Sequence, residues 1–159
     1  MSGLRRKDKE IKDRGEVEAV LAEAEVGRLG TCVGGRPYVV PLNFAYSEGS
    51  IFFHGAVEGM KMRNISSNPR VCFEVDIAEI VPADNPCDYN YRYRSVVVNG
   101  VARLLEGPEE RLRGLRIIVG KYAPGKGSDV TLERMERMKS LAVVEIEIEE
   151  MVGKRSPAD

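Results

Sequence analysis

At 159 residues, with 43% hydrophobic and 31% charged side chains, the chain has the size and composition of one ordinary globular domain with a substantial core. A net charge of −1 excludes the general nucleic-acid binders, which carry markedly basic surfaces, and no apolar run approaches the ~20 residues of a membrane span. The N-terminus shows no apolar leader, so the expected compartment is the cytoplasm, and three widely spaced cysteines without a CxxC or Cys/His cluster suit a reducing environment and predict no metal site.

The chain opens on a mixed-charge arm, residues 1–12, read as a solvated tail or as an arm that packs on a partner subunit. A helix is predicted from Asp13, with Glu16 as capping-box partner and Val17, Val20, Leu21 and Ala24 on one face; Gly27 is expected to end it. Strands follow at Leu29 to Val33, Arg36 to Tyr46 and Ser50 to His54, the first two joined by the hairpin signal Gly34-Gly35. Pro41 interrupts the second of these strands. A proline cannot donate to a ladder, so it marks either an edge or a bulge, and bulges often stand beside ligands.

Lys61 to Ser67 reads as a short helix stopped by Asn68-Pro69, and Arg70 to Asp76 as a strand. Residues 77–90 carry two prolines with Asp84, Asn85 and Asp88, and are expected to be a loop. A long strand, Tyr91 to Leu105, precedes an amphipathic helix begun by Pro108, with the stripe Leu112, Leu115, Ile118, Val119, Tyr122. A shorter helix over Leu132 to Lys139 and an alternating strand, Leu141 to Glu149, complete the chain. Cys32 and Cys72 fall inside strands and are expected to pack as small hydrophobes, with Cys87 in a polar loop. Six strands with three or four helices and no β-α-β-α alternation predict a mainly β (α+β) single domain built on an antiparallel, closed or partly closed barrel.

One stretch combines several signals. Phe52 to Ile65 (FFHGAVEGMKMRNI) carries a β-rich run into the only histidine, then a small-residue turn, then a lysine at a helix start. Glycines let a backbone approach a ligand closely, and a helix start with one cation is suited to a phosphate. Lys61 sits where the helix dipole disfavours a cation, which an adjacent anion would explain. A lone histidine is ordinarily structural, and on the residues alone His54 stands equally well as a functional group beside the turn. No second histidine supports metal binding, and no Ser or Cys nucleophile motif accompanies it. Downstream, strand alternation puts Arg92 and Arg94 on one face and Tyr91, Tyr93 and Ser95 on the other. These groups fit either a subunit rim or phosphate donors.

These pieces resemble one family. RPYVVPLNFAY, FFHGAVEGMKMRNI, NPRVCFEVD, YRSVVVNGVARLLE, IIVGKYAPG and VEIEIEEMVGK together resemble the pyridoxamine 5'-phosphate oxidase-like FMN-binding split-barrel proteins, and within them the nitroimidazole-resistance branch. The resemblance implies a six-stranded antiparallel split barrel with flanking helices, usually a homodimer with two FMN sites at its interface. It implies that Val40, Pro41, Leu42 and Asn43 run along the flavin edge, that Phe53, His54, Gly55 and Ala56 line the flavin, that Lys61 holds the phosphate, and that Arg94 and Ser95 add polar contacts. His54 is the residue it associates with catalysis. The turn VEGMK and the short acidic C-terminus depart from the vitamin B6 oxidases and argue against pyridoxine-phosphate oxidation. The expected activity is therefore FMN-dependent reduction of a small planar acceptor, with NADH or NADPH as candidate donor. A non-catalytic flavin-binding or sensing module, or a split barrel using haem or a deazaflavin, is the alternative.

Overall fold

The computed structural model describes residues 6–157. A two-residue strand β1 (Glu10–Ile11) follows a single 3-10 turn, and α1 (Arg14–Glu23) begins at the predicted cap, where the Asp13 carboxylate accepts the Glu16 N–H at 2.8 Å. The hairpin of β2 (Gly27–Val33) and β3 (Arg36–Leu42) turns through Gly34 and Gly35, at φ +58° and +76°. Both torsions lie in the left-handed region that a tight primed turn requires. Next come β4 (Phe44–Ser47), β5 (Ser50–Ala56), α2 (Met60–Ser67), β6 (Arg70–Val81) and β7 (Asn90–Leu104). Then α3 (Pro108–Tyr122), α4 (Leu132–Arg137) and β8 (Leu141–Arg155) complete the order.

Every strand pairing is antiparallel, in the order β3-β2-β6-β7-β8-β5-β4, with β1 added beside β8. The two outermost strands, β3 and β4, are joined by Asn43 alone. The sheet must therefore curl until its edges meet at one corner, and no ladder among the described residues seals them: the architecture is a split barrel. The inside is filled from the inward faces of the strands, by Leu29, Phe44, Ile51, Phe53, Phe73, Val75, Val96 and Val144 among others, and α1 closes one opening with Val17, Val20 and Leu21. A second core forms on the outer side of β5 and β8, where Phe52 and Val143 are covered by Leu112, Leu115 and Ile118 of α3 and by Met135 of α4. Phe52 and Phe53 are thus both buried, on opposite faces, because the barrel covers one and a helix the other.

Several expectations change. The eleven-residue strand from Arg36 to Tyr46 is two strands, because the chain leaves β2 at Leu42 and joins β5 at Phe44. Pro41 lies on an edge strand, paired only with Arg28 of β2, so its missing N–H costs no ladder bond. With β1, the sheet has eight strands rather than six. The second half of the arm is no tail: Glu10 and Ile11 pair with Lys154 and Gly153, and Ile11 is buried. Residues 1–5 lie outside the described residues. Gly27 starts β2 instead of ending α1, which stops at Ala24. The expected loop 77–90 is shorter: β6 continues to Val81 against β7, and residues 82–89 turn. Cys32 and Cys72 are exposed, because alternation puts both on the uncovered outer face with Arg28 and Gly30; Cys87 is exposed as expected.

Candidate functional site

The end of β5 is where the sequence signals converge. Phe53 points into the barrel and pairs with Phe44; His54 follows on the other face, paired with Val143; Gly55 pairs with Ala142 and Ala56 with Leu141. Asn43 precedes Phe44 as His54 follows Phe53, so both stand one residue beyond the end of the β4–β5 ladder. Val40 and Leu42 turn partly inward against the barrel core, while Pro41 and Val39 face solvent. The turn after β5 ends at Gly59, whose φ of +127° is reserved for glycine, and α2 starts at the next residue. No side chain caps α2, so the first-turn N–H groups have no intrahelical acceptor and face the turn.

Lys61 curls back from α2 over the strand. Its ammonium stands 5.1 Å from the centre of the Phe53 ring, and a Cβ at Gly55 would lie 2.6 Å from Nζ. Gly55 is therefore what leaves room for the cation. Lys61 is half-buried, and among the described residues no carboxylate lies within ion-pair distance of it. Burial alone lowers its pKa. The His54 imidazole has an open edge, yet it is shielded enough that burial first, and the Lys61 charge second, lower its pKa from the ordinary 6.5. At neutral pH His54 is then uncharged, able to accept or donate one hydrogen bond. Asn64 of α2 donates to the buried Thr31 hydroxyl at 2.9 Å and anchors the helix on β2.

The structure brings Leu42, Asn43, Phe53, His54, Gly55 and Lys61 to one corner, with Val40, Pro41 and Ala56 on the strands that lead to it. It does not bring Arg94 and Ser95 there. On β8 the partner of His54 is Val143, whereas Arg94 pairs with Arg155, twelve residues further along the same strand. The two pairs therefore lie near opposite ends of β8. Arg94 is occupied where it stands, by Glu23 of α1 at 2.8 and 2.9 Å. Arg63 points to solvent.

Two residues at the end of α3, of which only Tyr122 belongs to the predicted stripe, reach the same corner. Tyr122 accepts the Phe44 N–H at 3.0 Å and donates to the Glu25 carbonyl at 2.6 Å. Lys121 donates to the carbonyls of Leu21 and Ala24 at 3.2 and 2.6 Å and lies 3.6 Å from the centre of the Phe44 ring. The pair Lys-Tyr at a helix end, before Ala-Pro-Gly, carries no spacing signal that would identify it.

Among the described residues, no cluster of three or more metal-binding side chains occurs, and no helix is long and apolar enough to cross a membrane. The structure is similar to that of a protein described as a 5-nitroimidazole antibiotic resistance protein from Bacteroides thetaiotaomicron, with TM-score 0.75 and 26% identity over 91% of this chain and 85% of that one. It is also similar to a FAD-binding protein from Mesorhizobium loti, at TM-score 0.60 and 25% identity over 91% and 96% of the two chains. A flavocytochrome from Azotobacter vinelandii shares the fold at TM-score 0.83 and 22% identity, over 98% of this chain and 73% of its own. An uncharacterised protein of Rhizobium meliloti is 32% identical over 90 residues, 57% of this chain and 53% of that protein, so the match spans about half of each. The family model described as pyridoxamine 5'-phosphate oxidase matches residues 13–155. With the antiparallel split barrel and a match over nearly its whole length, the chain belongs to the pyridoxamine 5'-phosphate oxidase family.

Proposed function

We propose that this protein binds FMN at the corner formed by Asn43, His54, Gly55 and Lys61 and uses it to reduce a small planar acceptor, in the manner of a nitroimidazole reductase. One observation carries the reading: Lys61 is a half-buried ammonium with no carboxylate partner among the described residues, beside an uncapped helix start and over a glycine that makes room for it. A cation held this way is poorly placed for the protein alone and well placed for an anion. The donor set fits a phosphate monoester: the Lys61 point charge plus first-turn N–H groups of α2. Bound FMN would supply the hydride or electron transfer. The chain's own part is to hold the phosphate at Lys61, to present the backbone of residues 40–43 to the ring edge, and to set a neutral imidazole beside it. In its neutral form His54 would orient the acceptor through its one N–H; in the imidazolium form reached at lower pH it would deliver a proton and return to the neutral ring.

The relatives described as nitroimidazole-resistance and FAD-binding proteins support a flavin-linked reading. FMN is chosen over FAD here because the donors gather around one phosphate position. Arg94 and Ser95 enter the site in this reading from a second copy of the chain, since their own chain keeps them at the far end of β8. The protein would then act as a homodimer, with each FMN also touching the partner subunit's Arg94. NADH or NADPH is the proposed donor and the cytoplasm the proposed setting, where three unpaired thiols stay reduced.

The deciding experiment is an absorption spectrum of the purified protein followed by titration with FMN. Flavin bands near about 370 and 450 nm, or saturable binding of one FMN per chain, support the reading. A protein that is colourless and ignores FMN refutes it. A Soret band, or the blue-shifted absorption of a deazaflavin, would transfer the site to another cofactor.

A further inference from the structure

We infer that Lys121 and Tyr122, at the end of α3, form a clamp that positions Asn43 against His54 and so sets the ring end of the cofactor site. The inference rests on the flavin reading above. Asn43 is the single residue that carries the chain from one edge of the split sheet to the other, with no ladder partner of its own. Its position therefore depends on how Phe44 is held, and Phe44 is held from three sides. The Tyr122 hydroxyl takes the Phe44 N–H at 3.0 Å and stands 3.0 Å from the Phe44 carbonyl oxygen, while its proton goes to Glu25 at 2.6 Å. One phenol thus ties α3, the α1–β2 connection and the first residue of β4 together across the split.

Lys121 adds a second tie. Its ammonium satisfies two carbonyls at the C-terminal end of α1, groups that a helix end leaves without donor partners, and covers the Phe44 ring at 3.6 Å. The ring packs edge-on against Phe73 at 4.9 Å, and the Phe44 backbone is in register with Phe53, whose ring lies under Lys61. A continuous set of contacts therefore runs from α3 through Phe44 and Phe53 to the phosphate cation, and Asn43 sits at its exposed end. Neither Lys121 nor Tyr122 lies in the donor set for the phosphate. Both are positioning residues, acting on the ring end through Phe44.

The test compares binding of FMN and of riboflavin, which lacks the phosphate, by the wild type, Tyr122→Phe, Lys121→Met and, as control, Ile118→Val one turn earlier on α3. The Ile118 change removes one buried methylene from the same helix, a stability loss comparable to that of one hydrogen bond. Tyr122→Phe is expected to weaken FMN and riboflavin alike, by about five- to tenfold, and to shift the visible band of bound flavin. Lys121→Met, which keeps the apolar stem, is expected to act in the same direction and stands in if Tyr122→Phe fails to fold. Ile118→Val is expected to leave both affinities within about twofold of the wild type. Affinities unchanged in both clamp variants, or a loss confined to FMN, overturn the clamp; so does an equal loss in Ile118→Val. A wild type that binds no flavin overturns the reading beneath it as well, and that result is obtained before any variant is made.

Discussion

Replacing Lys61 by methionine separates a cofactor-binding role from a structural one, because the two roles predict opposite signs. In the protein without ligand, the ammonium is half-buried, unpaired among the described residues, and held below its ordinary pKa by burial. Methionine keeps the stem over Phe53 and removes the charge. The loss is one ring contact at 5.1 Å, worth about 0.5–1 kcal/mol, and it is offset by relief of the desolvated charge. The ligand-free variant should therefore melt at the wild-type temperature or slightly above it. With a phosphate in place the sign reverses. Two unit charges about 4 Å apart interact by about 4 kcal/mol at an effective dielectric of 20 and by about 1 kcal/mol in water. Half exposure places Lys61 between these limits, near 2 kcal/mol, or about a 30-fold weaker FMN affinity. Riboflavin, without the phosphate, should lose no more than about threefold. Fluorescence titration of both ligands and thermal melts of the ligand-free proteins give the four numbers. An equal loss for both ligands, or a ligand-free variant destabilised by more than about 1 kcal/mol, would refute the phosphate role of Lys61.

Three further predictions follow from the same corner. Gly55→Ala puts a methyl 2.6 Å from where Nζ now sits; the flexible lysine end can move away, so the protein should fold normally and lose FMN affinity by about tenfold, and unchanged affinity would show that the position of Nζ is not critical. His54→Ala should retain FMN but slow acceptor reduction; because burial and Lys61 hold the wild-type imidazole below 6.5, a proton-delivery role predicts wild-type turnover that rises as pH falls through that lowered value, and a variant with the same pH profile removes His54 from the proton step. Burial lowers Lys121 from 10.5 to about 8 in the folded chain, against the opposing pull of the Glu25 charge. Between those values the unfolded chain binds the extra proton, so stability rises with pH; after discounting for partial exposure the rise is about 1 kcal/mol from about pH 7.5 to 9.5. Chemical denaturation at the two pH values should show this rise in the wild type and not in Lys121→Met; a rise retained in the variant assigns it to another group.

Much of the fold was legible because its signals are local. Asp13 as the cap of α1, Gly34-Gly35, Pro108 and the buried part of the α3 stripe (Leu112, Leu115, Ile118) each specify an element end or face through backbone chemistry that acts within a few residues, and the structure keeps them, although the Glu16 carboxylate turns to Arg155 instead of closing the predicted box. The errors share a different cause. Nothing local distinguishes a strand that continues from one that changes neighbour, so RPYVVPLNFAY read as one strand although Asn43 moves the chain between sheet edges. The stretch 77–81 read as loop because the prolines and aspartates lie just beyond it; pairing with residues 90–94 of β7, a long-range term, overrides them. Cys32 and Cys72 looked like core residues because small apolar residues in strands usually are, whereas the face they occupy is decided by alternation from Leu29 and Phe73 and by the absence of a covering helix there.

For the site, sequence could supply the chemistry and the turn but not the distance. A histidine, two glycines and a lysine within eight residues must lie near one another, and the structure adds that Gly55 is the space into which Lys61 folds. Arg94 and Ser95 are different. Alternation fixes which face of a strand a side chain occupies, and says nothing about which end of a neighbouring strand lies beside it; only the register of β5 and β7 on β8 reveals that they stand at opposite ends. The same register gives their proposed role a condition. With Arg94 held by Glu23 at the far end of β8, the reading above brings it to the Lys61 corner from another copy, in which the Arg94–Glu23 ion pair must open or share its guanidinium. Arg94→Ala should then weaken FMN affinity in the homodimer without changing the ligand-free melt, since an exposed pair of this kind contributes about 0–1 kcal/mol. Mixed dimers would localise the effect: one subunit carrying Lys61→Met and the other Arg94→Ala should retain one intact site and one doubly impaired site. Uniformly weakened sites in such a mixture would place both residues in the same subunit's site and refute the cross-subunit role of Arg94.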